Sequence, residues 1–128
     1  MIMETTEEKM NIGEIADKFV NWRNNDEAGI LRAELYSHDI ESIEDGFTSE
    51  IGRVKGMEGL KKKGQGLSRD FEVHHIKATK PVLADNFFSV KFEMDITDKR
   101  SGKRSILSEI GVYKVNNGKI VKEHYFMW

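Results

Sequence analysis

The chain is 128 residues long and has no cysteine, the length of one domain, and disulfides, thiolate metal sites and a cysteine nucleophile are excluded. Twenty basic against 22 acidic side chains give a net charge of -2, which argues against a nucleic-acid partner; the one basic run, Lys61-Lys62-Lys63, has no interleaved aromatic residue and reads as a solvated helix face. The acidic start, MIMETTEEKM, is unlike a signal peptide and no apolar run approaches roughly 18 residues, so the expectation is a cytoplasmic protein with no membrane partner.

Three helices come first. Ile12, Ile15, Ala16, Phe19 and Val20 follow helical spacing, with Asn11 and Glu14 placed for a capping box. The helix ends near Asn24-Asn25, and Asp26 is placed to cap a second, shorter one carrying Ala28, Leu31 and Leu35, which runs out at Tyr36-Ser37-His38-Asp39. A short strand over Ile40 to Asp45 follows. A third helix spans about Gly56 to Asp70, with Met57, Leu60, Leu67 and Phe71 on one stripe, although Gly64 and Gly66 each weaken it by up to about 1 kcal/mol.

After Asp70 the apolar period changes from 3.6 to 2. Phe71 to Ala78, Phe87 to Ile96, Arg104 to Val115 and Lys119 to Trp128 read as strands, separated by Lys80-Pro81, by Asp98 to Gly102 and by Asn116-Asn117-Gly118. In the second of these Phe88, Val90, Phe92 and Met94 make one face and Ser89, Lys91, Glu93 and Asp95 the other, as in an antiparallel sheet with one face on a core. The last two strands each carry one glutamate, Glu109 and Glu123, among apolar neighbours. A buried ionised carboxylate costs several kcal/mol unless paired or hydrogen-bonded. A polar-lined pocket would supply the partners.

Three helices followed by a curved sheet is the layout of the nuclear transport factor 2-like cone. Leu35-Tyr36-Ser37-His38-Asp39 before Ser42-Ile43-Glu44, Lys55-Gly56-Met57-Glu58-Gly59 at the third helix, Glu109-Ile110-Gly111-Val112-Tyr113 and Gly118-Lys119-Ile120-Val121-Lys122-Glu123 resemble the SnoaL-like branch of that superfamily. The resemblance spans about residues 12 to 128 and implies an α+β fold, with the three N-terminal helices packed in the concave face of a strongly curved, mostly antiparallel sheet. The whole chain, 1–128, is then a single SnoaL-like domain, with residues 1–10 a flexible or fraying terminus. The superfamily includes polyketide cyclases, ketosteroid isomerase, scytalone dehydratase, limonene epoxide hydrolase and non-catalytic domains, so fold alone does not decide function.

The resemblance places Glu44 at a superfamily catalytic carboxylate and His74 and Ile76 inside the cone, with His75 outside. It also favours a three-residue turn pairing Val115 with Lys119, which puts Glu109, Gly111, Tyr113, Glu123, Tyr125 and Met127 on one face. A two-residue Asn117-Gly118 turn would exchange Glu123 and Tyr125 for His124 and Phe126. The candidate catalytic residues are therefore Glu44, His74, Glu109 and Glu123, and the candidate ligand-binding residues Trp22, Phe88, Val90, Phe92, Tyr113, Tyr125 and Met127. Each has a structural alternative: Glu44 as a surface residue, His74 as a satisfied core histidine, Glu109 and Glu123 in ion pairs with Arg104, Lys119 or Lys122 or at a dimer interface, and the aromatic residues as core. Adjacent strand residues diverge, so His74-His75 makes no metal site.

The sequence reading is a SnoaL-like protein of unassigned activity that needs no cofactor or metal and binds a small, partly apolar organic molecule. The alternative is an acid-base isomerase, dehydratase or cyclase using the pocket carboxylates and the histidine. Steroid isomerase activity is not expected, because the resemblance puts that enzyme's oxyanion donors at Lys18 and Gly111. Ile110, Val112, Ile120 and Phe126 on the convex face would make an apolar patch, from which a homodimer is expected.

Overall fold

The computed structural model describes residues 9–25, 28–44 and 52–127. The terminus expected over residues 1–10 falls almost wholly outside these, as do the Asp26 cap, Asp45 and Trp128 and the side chains of Ala28 and Leu31.

Helix α1 (Ile12–Asn24) begins with the expected capping box: the Glu14 amide donates to Asn11 Oδ1 at 2.9 Å and the Asn11 amide to Glu14 Oε1 at 3.0 Å. Its far end is tied to the sheet by Asn24, whose side chain donates to the Ala78 carbonyl and accepts from the Ala78 amide at 2.7 Å. Helix α2 (Ala28–Leu35) leads directly into strand β1 (Tyr36–Glu44). The strand therefore starts four residues before the expected Ile40, because Tyr36 is held by a parallel partner, Ile120, that no local pattern reveals. A short strand β2 (Arg53–Lys55), not anticipated, pairs with β1, and Gly56, at φ 79°, turns the chain into helix α3 (Gly56–Asp70). Phe71 opens the next strand, as the change of period after Asp70 predicts, rather than extending the stripe of that helix.

Strands β3 (Phe71–Ala78), β4 (Val82–Leu83), β5 (Phe87–Asp98), β6 (Lys103–Asn116) and β7 (Lys119–Phe126) complete the sheet, whose order is β2-β1-β7-β6-β5-β3 with β4 beside β5. Among the described residues all pairings are antiparallel except β1 with β7. This is the three-helix, curved-sheet cone expected from the sequence.

Two irregularities decide which side chains face inward. In β3, Val73 opposes Ile96 but His75 opposes Asp95, so His74 is the extra residue of a β-bulge. In the terminal hairpin Asn116 opposes Lys119 across a two-residue turn, with Asn117 and Gly118 both left-handed at φ 56° and 77°. The three-residue turn is thus corrected. A second bulge at Val121 then shifts the pairing, so that Ile120 opposes Val115 while Glu123 opposes Tyr113 and Tyr125 opposes Gly111. Ile120 and Glu123, three apart, both point inward. Ile120, expected on the convex face, is fully buried in the core.

The core lies between α1 and the concave sheet. Ile15, Ala16 and Phe19 meet Phe88, Val90, Phe92 and Tyr113, with the Phe19 ring 4.3 Å from that of Tyr113 and 5.8 Å from that of Phe88. Each of the large apolar side chains here contributes roughly 1.5–3 kcal/mol by leaving water.

Candidate functional site: a cavity with a buried charge relay

Between α3 and the concave sheet the cone opens into a cavity of about 410 Å³. Its apolar wall comes from Leu60 and Leu67 of α3, Val73 and Ile76 of β3, Met94 of β5 and Leu107 of β6. Its polar side is made by Glu44, Glu109, Glu123, Tyr125, Lys63 and Arg23, with Arg32 of α2 also lining the space.

The polar groups form one connected chain. Lys63 Nζ sits 2.7 Å from Glu44 Oε1 and donates to Ser42 Oγ, also at 2.7 Å. Ser42 in turn donates to Glu123 Oε2 at 2.7 Å, and the other oxygen of Glu123 accepts from Tyr36 at 2.5 Å and Tyr125 at 2.8 Å. Three hydroxyl donors on two oxygens is the acceptor pattern of a carboxylate. Burial, and next the neighbouring Glu123 charge, push the pKa of Tyr36, Tyr113 and Tyr125 well up, so all three phenols keep their protons.

Glu109 closes the other end of the chain by hydrogen-bonding to Glu44. Desolvation first, then the bond to and charge of Glu44, push its pKa up to about 9 against the opposing pull of Lys63 and Arg23. Glu109 is therefore a carboxylic acid at neutral pH, beside a carboxylate neutralised by Lys63. Arg23, in the last turn of α1, rests over the Phe92 ring at 5.4 Å, and its buried Nε has no hydrogen-bond partner. Burial works to lower its pKa, but Tyr125, Tyr113, Tyr36 and Glu123 raise it on balance.

Of the sequence candidates, Glu44, Glu109, Glu123 and Tyr125 meet in this cavity. Glu109 and Glu123 do not pair with the cations considered for them: Arg104 bonds Asp95, Lys119 the Glu34 carbonyl and Lys122 lies by Glu41. His74 does not join the cavity residues, because the bulge turns it to the outer face, where Nε2 meets Thr97 Oγ1 at 2.7 Å and Val73 takes its inward place. Phe88, Val90, Phe92 and Tyr113 are packed in the core rather than on the cavity wall, since α1 lies directly on that part of the sheet. Trp22 packs half-buried on the core edge, and neither it nor the half-buried Met127 lines the cavity.

Sequence reasoning missed Lys63, Arg23, Tyr36 and Ser42. The basic run predicts a solvated face for Lys63, yet it is buried, while Lys61 and Lys62 are exposed. A signal existed: Lys63 lies three residues after Leu60 and four before Leu67, on the apolar stripe of α3, and Arg23 continues the Phe19 stripe of α1. Tyr36 and Ser42 carried no comparable signal, since their partner Glu123 is 87 and 81 residues away.

Comparison with known proteins bears on this architecture. The family model of the SnoaL-like domain matches residues 10–127. The chain belongs to the SnoaL-like family. A candidate SnoaL-like polyketide cyclase from Mesorhizobium loti is 30% identical, with a TM-score of 0.84 over 91% of this chain and 99% of that one. Two nuclear transport factor 2-like proteins share the fold of this SnoaL-like chain. The one from Burkholderia thailandensis is 17% identical (TM-score 0.78, 91% and 89% covered) and the one from Burkholderia pseudomallei, of unknown function, 14% identical (TM-score 0.77, 93% and 92% covered). A search of curated proteins finds no match. Among the described residues of the SnoaL-like domain no helix is long and apolar enough to cross a membrane, and no three His, Asp or Glu side chains are grouped to hold a metal ion.

Proposed function

We propose that this SnoaL-like protein, a single domain, binds a small, partly apolar organic molecule in the cone cavity. The observation that carries the reading is the pairing of an apolar wall with one pole of convergent polar groups in about 410 Å³, the size and character of small-molecule sites. Leu107→Trp, which fills the cavity from the wall, tests it. The variant should fold and lose ligand-induced thermal stabilisation by compounds that stabilise the native protein, an effect worth about 2.7 kcal/mol at a hundred-fold excess over Kd. Unchanged stabilisation in the filled variant refutes the cavity as the site.

A second reading, acid-base catalysis, is favoured by one observation: a protonated Glu109 beside the Glu44 carboxylate supplies an acid and a base at one place. An isomerisation, dehydration or aldol-type cyclisation of an enone, hydroxyketone or lactone would use that pair. Turnover abolished by Glu44→Gln and by Glu109→Gln would establish it, and absence of turnover across such a panel would remove it.

The same proposal places the protein in the reducing cytoplasm, to which a cysteine-free chain is suited, and as a homodimer through its convex face. Ile106 and Ile110 are exposed there at 72% and 49%, with Val112 and Phe126 half-buried beside them.

A further inference from the structure

The charge inventory of the cavity does not balance. Lys63 is used by Glu44 and Ser42, Glu123 is satisfied by three hydroxyl groups, and Glu109 is occupied with Glu44. Arg23 and Arg32 also line the cavity, and among the described residues neither forms an ion pair or a side-chain hydrogen bond. Glu123 and the neighbouring tyrosines favour the charge of Arg23, but its buried Nε–H has given up water without replacing that hydrogen bond, which costs free energy until an acceptor arrives. Arg23 lies over the Phe92 ring at 5.4 Å with its Nε–H unpartnered, and the Asn24–Ala78 bonds fix the helix end that carries it. A planar fork of donors on a fixed stem matches a carboxylate in two-point contact.

We infer that Arg23 and Arg32 form an anion subsite, and that the molecule held in the cavity is an organic acid, its carboxylate on the guanidinium edges and its apolar body against Met94, Ile96 and Leu107. This inference rests on the binding reading and narrows it to one chemical class. The two arginines come from the last turns of α1 and α2, whereas the Glu44–Glu109 pair belongs to the sheet, so the acid group and the apolar body are read by different elements.

Calorimetric titration with three matched probes, 2-naphthoate, 2-naphthalenemethanol and 2-naphthylmethylamine, tests the subsite at pH 7. The acid should bind about ten-fold or more tighter than the alcohol, and the amine most weakly. Arg23→Gln and Arg32→Gln should each reduce the acid-to-alcohol preference several-fold. In the unsubstituted protein, whose fold is not in question, the Arg23 Nε–Hε NMR signal should move on adding naphthoate and not on adding the alcohol. Equal binding of acid and alcohol, or an unmoved Arg23 signal in the naphthoate complex, overturns the subsite and leaves the cavity reading standing. Failure of all three probes to bind overturns both.

Discussion

Glu109 and Glu44 hydrogen-bond carboxyl to carboxyl, and the proton between them stays in place because burial and the second carboxylate disfavour two charges there. The sign of the resulting pH dependence follows from the folded pKa, about 9, lying above the unfolded value, 4.5. Between the two the folded state holds a proton that the unfolded state has lost, so this group's contribution to stability falls as pH rises, by at most about 1.4 kcal/mol per pH unit. Urea unfolding from pH 5 to 9 should show that decline, and Glu109→Gln, which keeps a donor toward Glu44, should flatten it. A Glu109 carboxyl carbon titrating near 4.5 by NMR would overturn the assignment.

Lys63 is the counter-charge of a buried carboxylate. Replacing it with methionine strands Glu44, and removal of one partner of a buried pair typically costs about 3–5 kcal/mol. The double substitution Lys63→Met with Glu44→Gln removes the stranded charge and should recover more than half of the loss. Equal stability of the single and double variants would show that the pair carries no such coupling.

Gly111 exists as glycine to admit Tyr113. A Cβ there would stand 2.8 Å from Cζ of that ring, which is fully buried and has the Phe88 ring stacked at 5.0 Å, so it has nowhere to move. Gly111→Ala should cost about 1–3 kcal/mol by overpacking, read as a lower urea midpoint at unchanged slope. A midpoint within error of the native one would mean that the ring is not held there.

Dimerisation through the convex face predicts light scattering at twice the 14.7 kDa chain mass, falling to the monomer in Ile110→Lys, which puts a charge where β6 exposes its isoleucines. A native monomer across micromolar concentrations would falsify the proposal.

The helices α1 and α3, the long strands and the cone itself were legible in the sequence because amphipathic period, capping and turn residues are local signals, and they agreed with one another along the chain. The presence of Glu109 and Glu123 in apolar strands likewise announced a polar cavity. What only the tertiary structure decided was which side chains reach it. One extra residue in β3 sends His74 outward, and another at Val121 brings Glu123 and Tyr125 inward after a turn that by itself would have pointed them away. A bulge is stabilised by the partner strand and the packing on either face, neither of which a strand's own period of two records. The same holds for the relay. Lys63, Ser42, Tyr36 and Glu123 come from three elements, α3, β1 and β7, and burial next to one another, which no segment encodes alone, is what makes each of them a partner.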